Sequence, residues 1–227
     1  MRTNRRLSLW VLPTLLALLQ GCFSSARLPA GAAAAAGAET GLVFGTIGVS
    51  AEARTIEFSS LQYRAVVGDR PQPSGEFLFH SPAGVVGTLL SPMFDTPVDF
   101  RDGAAKGTLF MARLPAGDYE VFSAVIEHAP MAGWGSHVYG PDAGGVAFRV
   151  EAGGATYLGQ FLSRLRMGRD ADGIPQVQGA YFVVSDRLQR DLGLLRSRGA
   201  TAAPDPLLNL APRFMRVDNA ALRSSPE

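Results

Sequence analysis

The stretch "GTLFMARLPAGDYEVFSAVIEH", Gly107 to His128, contains two apolar runs joined by Pro115-Ala116-Gly117-Asp118. Proline presets a turn's φ, glycine relaxes its backbone, and aspartate bonds to nearby N–H groups, so this cluster punctuates two strands. The flanking residues include Leu109, Phe110, Tyr119, Val121, Val125 and Ile126, types that suit a pleated, half-buried surface.

Working outward, the same pattern repeats. "GLVFGTIGVS" from Gly41 is an apolar run bounded by glycines. In "TIEFSSLQYRAVV", Ile56 and Phe58 hold one phase and Leu61, Tyr63, Ala65 and Val67 the other, and the slip at Ser59-Ser60 predicts a β-bulge. "EFLFHS", "VVGTLL", "VAFRVEA", "TYLGQFLSRLRM" and "QVQGAYFVVS" complete the series, separated by Gly, Pro and Asp clusters. Strands at this spacing, with no βαβ alternation, predict a mainly β fold, an antiparallel β-sandwich over residues 41–185. About 160 residues can bury roughly 70% of their unfolded surface, enough for one core.

Past the strands, "SDRLQRDLGLLRSRG" places Leu188, Leu192 and Leu195 on one stripe, predicting one C-terminal helix over 186–199. Asp186 is the expected N-cap, with Gln189 three positions on and Gly199 at the end. The stripe is expected to pack on the domain as a lid over an open end or edge. The tail, 200–227, is proline-spaced with little periodicity; Leu207, Leu208, Leu210 and Phe214 are expected to dock, and the last ten residues to stay loose.

The N-terminus has a different character. Arg2, Arg5 and Arg6 precede an uncharged run from Leu7 to Leu19, the layout of a secretory signal peptide over residues 1–21. As a helix that run reaches about 20 Å, short of the roughly 30 Å hydrocarbon core, and Pro13 interrupts it. Residues 22–40, rich in Ala and Gly, read as a flexible tether with a span of about 25 Å and an extended limit of about 60 Å. Without the three signal-peptide arginines, 18 basic residues face 20 acidic ones. With no Lys/Arg run either, a nucleic-acid partner is not expected.

Leu19-Gln20-Gly21-Cys22 resembles the lipobox of bacterial lipoproteins, with Gln20 where family members usually carry a small residue. The resemblance implies that Cys22, the only cysteine, is lipidated and becomes the mature N-terminus, so the partner at that end is a membrane. Phe23 rather than aspartate after the cysteine implies, by the family's sorting pattern, the outer membrane facing the periplasm. The "LPAGDYEVFSA" segment is similar to the turn-strand signature of transthyretin-like and carboxypeptidase-regulatory-like sandwiches. "FRVEAGGATYLGQF", Phe148 to Phe161, resembles the later hairpin of such domains.

No catalytic constellation, metal site or cofactor motif is expected. His80, His128 and His137 make no close-spaced metal pair. "GWGSH" around Ser136 lacks the second glycine of a nucleophile elbow. Asp170, Asp172 and Gly173 read as a hairpin turn rather than a calcium loop, and Asp95, Asp99 and Asp102 as solvated loop acids. The segment Ala129 to Gly145 is long for a sandwich loop and carries Trp134, His137 and Tyr139, the candidate partner-binding residues. The expected function is therefore a non-enzymatic binding or assembly module of the envelope, with an envelope protein or cell-wall partner. The alternatives are a hydrolase using loop carboxylates and His137, and a structural accessory of a secretion or cell-wall complex.

Overall fold

The computed structural model describes residues 26–27, 39–50, 53, 55–68, 74–80, 98–103, 105–129, 137–199 and 205–224. The signal peptide, Cys22, "VVGTLL", Asp95 and Trp134 lie outside the described residues, as does the side chain of His137. In chain order the first strands are β1 (Ala26–Arg27), β2 (Thr40–Val49), β3 (Ile56–Ala65), β4 (Ser74–His80), β5 (Phe100–Asp102), β6 (Ala105–Pro115) and β7 (Gly117–His128). They are followed by β8 (His137–Tyr139), β9 (Asp142–Val150), β10 (Ala155–Arg169), β11 (Pro175–Ser185), helix α1 (Leu188–Ser197), β12 (Leu207–Asn209), helix α2 (Ala211–Phe214) and β13 (Leu222–Ser224).

The chain is mainly β, in two sheets. The first runs β1-β4-β3-β7, with β8 and β9 sharing the far side of β7. The second runs β13-β11-β10-β2-β6-β5, with β12 beside the start of β10. Between them lies one core, threaded by a chain of rings: Phe148 stacks on Tyr119 (5.4 Å between centroids), Tyr63 on Phe77 (4.6 Å), Phe77 on Phe110 (4.2 Å), and Phe161 meets Phe214 edge-on at 5.6 Å. Each fully buried ring contributes about 1.5–3 kcal/mol.

Several expectations are corrected. The second sheet is mixed rather than antiparallel: β2 pairs with β10, β12 with β10 and β13 with β11 in parallel. β2 and the first half of β10 are buried on both faces, the usual setting of parallel pairs. At their contact Gly45 is obligatory, because a Cβ there would fall 2.5 Å from the Gly159 carbonyl and 2.6 Å from the Phe110 ring. Phe148 to Phe161 is not a hairpin: β9 belongs to the first sheet and β10 to the second, so Gly153-Gly154 arches between sheets. The Pro115–Gly117 turn does the same, and the Tyr119 hydroxyl locks it by donating to the Pro115 carbonyl at 2.9 Å. The slip in β3 is not at Ser59-Ser60 but between Ile56 and Phe58, which puts Ser59 on the core face with Ile56; the second register shift of this pair, at Gln62/Tyr63, has its extra residue in β7.

A third layer lies outside the second sheet. Leu192 and Leu195 of α1 are buried against Phe44, Leu109, Ala155 and Tyr157, so the helix covers a sheet face rather than an end or edge. Its N-cap position is Arg187, and Asp186 accepts the Leu188 N–H at 2.9 Å from one residue earlier. The tail adds a second helix, α2, and two strands. Phe214 is fully buried, and of the last ten residues, expected to be loose, Ala221 and Leu222 are buried as β13 pairs with β11, whereas Leu208 stays exposed. Asp99 is not solvated: it accepts from Thr108 Oγ1 (2.7 Å) and the Leu109 N–H (2.8 Å) and pairs with Arg198. Among the described residues no helix is long and apolar enough to cross a membrane.

Candidate functional site

On the outer face of the first sheet, Arg64, Phe122, Ser123 and Asp142, with Gly140, Gly144 and Gly145, line an open cavity of about 630 Å³, a size that suits a small ligand or a side chain of a partner. Its origin is a bulge in β7. Across β3, Tyr63 pairs with Val121 and Gln62 with Ser123; across β9, Val146 pairs with Val121 and Asp142 with Ser123. Phe122 is skipped in both ladders, and Val121 and Ala124 face the core, so Phe122 and Ser123 are both turned outward.

The Arg64 guanidinium lies over the Phe122 ring, 4.7 Å from its centroid, and donates through Nε to Glu120 at 2.6 Å. Ring and carboxylate hold one face and one edge, the edge through both Nε and Nη2, while the half-exposed side chain lines the cavity. Glu120 is placed in turn by the opposite wall. Gly145 has φ +67°, and a Cβ on it would stand 2.8 Å from Glu120 Oε2. Asp142 accepts the Gly144 N–H on Oδ1 at 2.8 Å, and Asn219 of the tail donates to the Ala143 carbonyl at 2.9 Å. The tail thus pins the glycine wall from behind.

A second polar cluster sits beneath α1 and is closed. Asp191 has no exposed surface; its Oδ2 accepts from Tyr157 Oη (2.8 Å) and Thr46 Oγ1 (3.0 Å), and its Oδ1 from Arg190 Nε (2.8 Å) and Nη2 (2.6 Å). Arg190 also lies 4.1 Å from the Phe100 ring centroid. Gln160, with its amide turned to suit its neighbours, donates to Ser185 and accepts from Arg190. Burial pushes the Asp191 carboxyl above its ordinary range, opposed by the Arg190 charge and the three hydrogen-bonding side chains. Burial, reinforced by the Asp191 charge, also raises the Tyr157 hydroxyl. All the hydrogen bonds that the Asp191 carboxylate accepts come from side chains inside the fold, as in a structural clamp.

Of the expected binding residues, Tyr139 is half-buried, packs on the core and points its hydroxyl at the Val177 carbonyl (3.5 Å) on the other sheet. It does not line the cavity. His137 is placed only by its backbone pairing with His128. The far end of the long segment, Gly140 to Gly145, forms the glycine wall. Comparison with protein-family models, curated proteins and solved structures finds no match to this chain. Sequence reasoning missed Arg64, Phe122 and Ser123. A signal existed: Tyr119 and Val121 share one phase, Ala124 and Ile126 the other, which marks a slip at Phe122-Ser123.

Proposed function

We propose that this chain is a lipid-anchored protein of the bacterial envelope whose β body is a non-enzymatic binding module. The observation that carries the binding half is the Arg64 guanidinium held over Phe122 at the wall of an open cavity, with the Asp142 carboxylate and Ser123 hydroxyl beside it. Such a set supplies donors, an acceptor and an apolar surface, which is recognition chemistry. The anchor half rests on Arg2, Arg5, Arg6, the short apolar run and Gly21-Cys22, with the outer membrane facing the periplasm as destination. The Pro115–Gly117 arch locked by Tyr119 supports assigning the body to the transthyretin-like sandwiches. The partner is an envelope protein or a cell-wall component.

The test is capture from detergent-solubilised envelope, with Arg64→Ala, Trp134→Ala, His137→Ala and Tyr139→Ala beside the parent chain. Loss of capture by Arg64→Ala at an unchanged melting temperature supports the cavity. Loss confined to the Trp134 and His137 variants moves the site up the loop, and unchanged capture by all four removes both. In parallel, Cys22→Ser should abolish incorporation of labelled fatty acid; incorporation at the parent level ends the anchor reading. Turnover of an ester or glycoside lost in Asp142→Asn would instead favour a hydrolase.

A further inference from the structure

The outer face of the second sheet carries α1 at one side and, farther across, a group of arginines over β10, β11 and β13. Phe182 and Val184 point into the core, so Tyr181 and Val183 point outward. Arg164 is the cross-strand partner of Tyr181, Arg166 lies two residues along β10, and Arg223 is paired with Val183, so all three share that outer face. The guanidinium carbons of Arg223 and Arg166 stand 4.9 and 5.9 Å from the Tyr181 ring centroid. One tyrosine thus gathers three guanidinium groups.

The fold around them does not neutralise this charge. Among the described residues the acid beside Arg223 is Asp218, at 3.9 Å and 83% exposed, a pair that contributes little. The hairpin acids are farther off: Asp170 is four residues past Arg166, about 13 Å along the strand, and its Oδ1 accepts from the Asp172 and Ile174 N–H groups. Guanidinium groups this close repel one another. Arg164 adds a second cost, because its Nε is buried and has no acceptor, and a buried donor left unpaired is rare enough to require an account. An anion from outside supplies the missing charge, and its oxygens are the acceptors that guanidinium forks fit. There is room beside Arg166, which pairs with Gly179: a Cβ added to that glycine meets only the Arg166 Cβ, at 4.0 Å. Tyr181 brings a hydroxyl donor to the same face.

From these observations we propose that Arg164, Arg166 and Arg223 form a site for the terminal phosphate of a phosphomonoester. The charge count selects that group. A carboxylate or a phosphodiester brings one negative charge against three guanidinium groups, whereas a terminal phosphate brings about 1.5–2 and three acceptor oxygens. Arginine suits this task better than lysine, because its planar fork meets two oxygens at once. The site lies on the sheet opposite the cavity walled by Arg64 and Phe122 and owes nothing to the lipid anchor, so it stands or falls independently of both.

The test is isothermal titration of the full chain with glycerol monophosphate, with inorganic phosphate, dimethyl phosphate and citrate as comparison ligands. Saturable binding of the monoester is expected, about tenfold or more tighter than that of dimethyl phosphate or citrate. Inorganic phosphate of equal affinity means that the group alone is recognised, and weaker binding of inorganic phosphate that its carrier is recognised too; both support the site. Arg166→Gln and Arg223→Gln should each weaken binding about tenfold, as loss of a hydrogen bond to a charged group does. Arg164→Lys, which keeps the charge and loses the fork, should weaken it as well. Arg113→Gln, on β6, should leave it unchanged. Arg166, Arg223 and Arg113 are exposed, so the melting temperatures of their variants should match the parent. Equal affinity for dimethyl phosphate would mean that one charge suffices, and equal affinity for citrate that any polyanion serves. Either result, the absence of saturable binding, or binding indifferent to both Arg166 and Arg223 overturns the proposal.

Discussion

The two outer faces of the molecule carry the same ingredients with opposite outcomes. Beneath α1 an arginine lies over Phe100 and pairs with Asp191, with Thr46 and Tyr157 hydroxyls alongside; over the first sheet an arginine lies over Phe122 and pairs with Glu120, with Ser123 alongside. In the first cluster the carboxylate is sealed from water and its hydrogen-bond partners are all side chains of the fold, whereas the Arg64 side chain is 46% exposed. Residue types alone therefore do not make a binding site. What separates clamp from site is how many donors remain unspent and whether a ligand can reach them.

The clamp gives the largest effects. Asp191→Ala leaves Arg190 without its partner at the helix-sheet contact, and breaking a buried pair from one side costs about 3–5 kcal/mol; urea midpoints would measure it. A loss below about 1 kcal/mol would mean that the cluster is solvated and no different from the one around Arg64. The pH dependence has a definite sign. Because burial raises the folded pKa of Asp191 above its unfolded value, the folded chain keeps a proton over a range where the unfolded chain releases it. This contribution is whole below the unfolded pKa of about 4 and falls as pH rises through the folded pKa. Asp191→Asn should flatten that part of the stability profile. Leu192→Ala, in the same contact, should cost about 2–5 kcal/mol through lost transfer energy and the residual cavity.

That contrast also marks what a sequence can carry. Strands were legible because alternation is local: Leu61 and Tyr63, or Phe182 and Val184, announce their face by spacing two. Sheet membership was not. Pro-Ala-Gly and Gly-Gly turns look alike whether the chain folds back within a sheet or arches to the other, and only pairing between distant segments decides. The parallel contact of β2 with β10 is of that kind, as are the three-residue strands of the tail, too short for any period to emerge. Asp191 could have been suspected, because it falls three residues after Leu188 and one before Leu192, inside the apolar stripe. That its partners are Thr46 and Tyr157 could not.

Intermediate effects come from the glycine wall. Gly145→Ala places a Cβ at φ +67°, a left-handed conformation that costs about 1–2 kcal/mol for a residue with a side chain. The same Cβ presses on Glu120, which holds Arg64. The expected result is a modest drop in stability with a larger loss of partner capture than Gly153→Ala, whose φ is also positive but whose Cβ meets nothing. Equal behaviour of the two variants would mean that Gly145 serves the turn alone.

The smallest stability effect belongs to Arg64 itself, and it sharpens the comparison most. Its ion pair with Glu120 is partly exposed, and such pairs contribute about 0.2–1 kcal/mol. Arg64→Ala should therefore move the melting temperature little, while Arg190→Ala, which strands a sealed carboxylate, should move it several-fold more. Capture of the partner should show the reverse order, because a desolvated arginine anchor at a recognition site costs about 2 kcal/mol or more when truncated. Arg64→Lys discriminates further: a lysine keeps the charge but loses the planar stack on Phe122 and the Nε bond to Glu120, so capture should stay low if geometry matters and recover if charge suffices. If Arg64→Ala instead proved as destabilising as Arg190→Ala, the outer face of the first sheet would be a second clamp, and the cavity would lose its claim to a ligand.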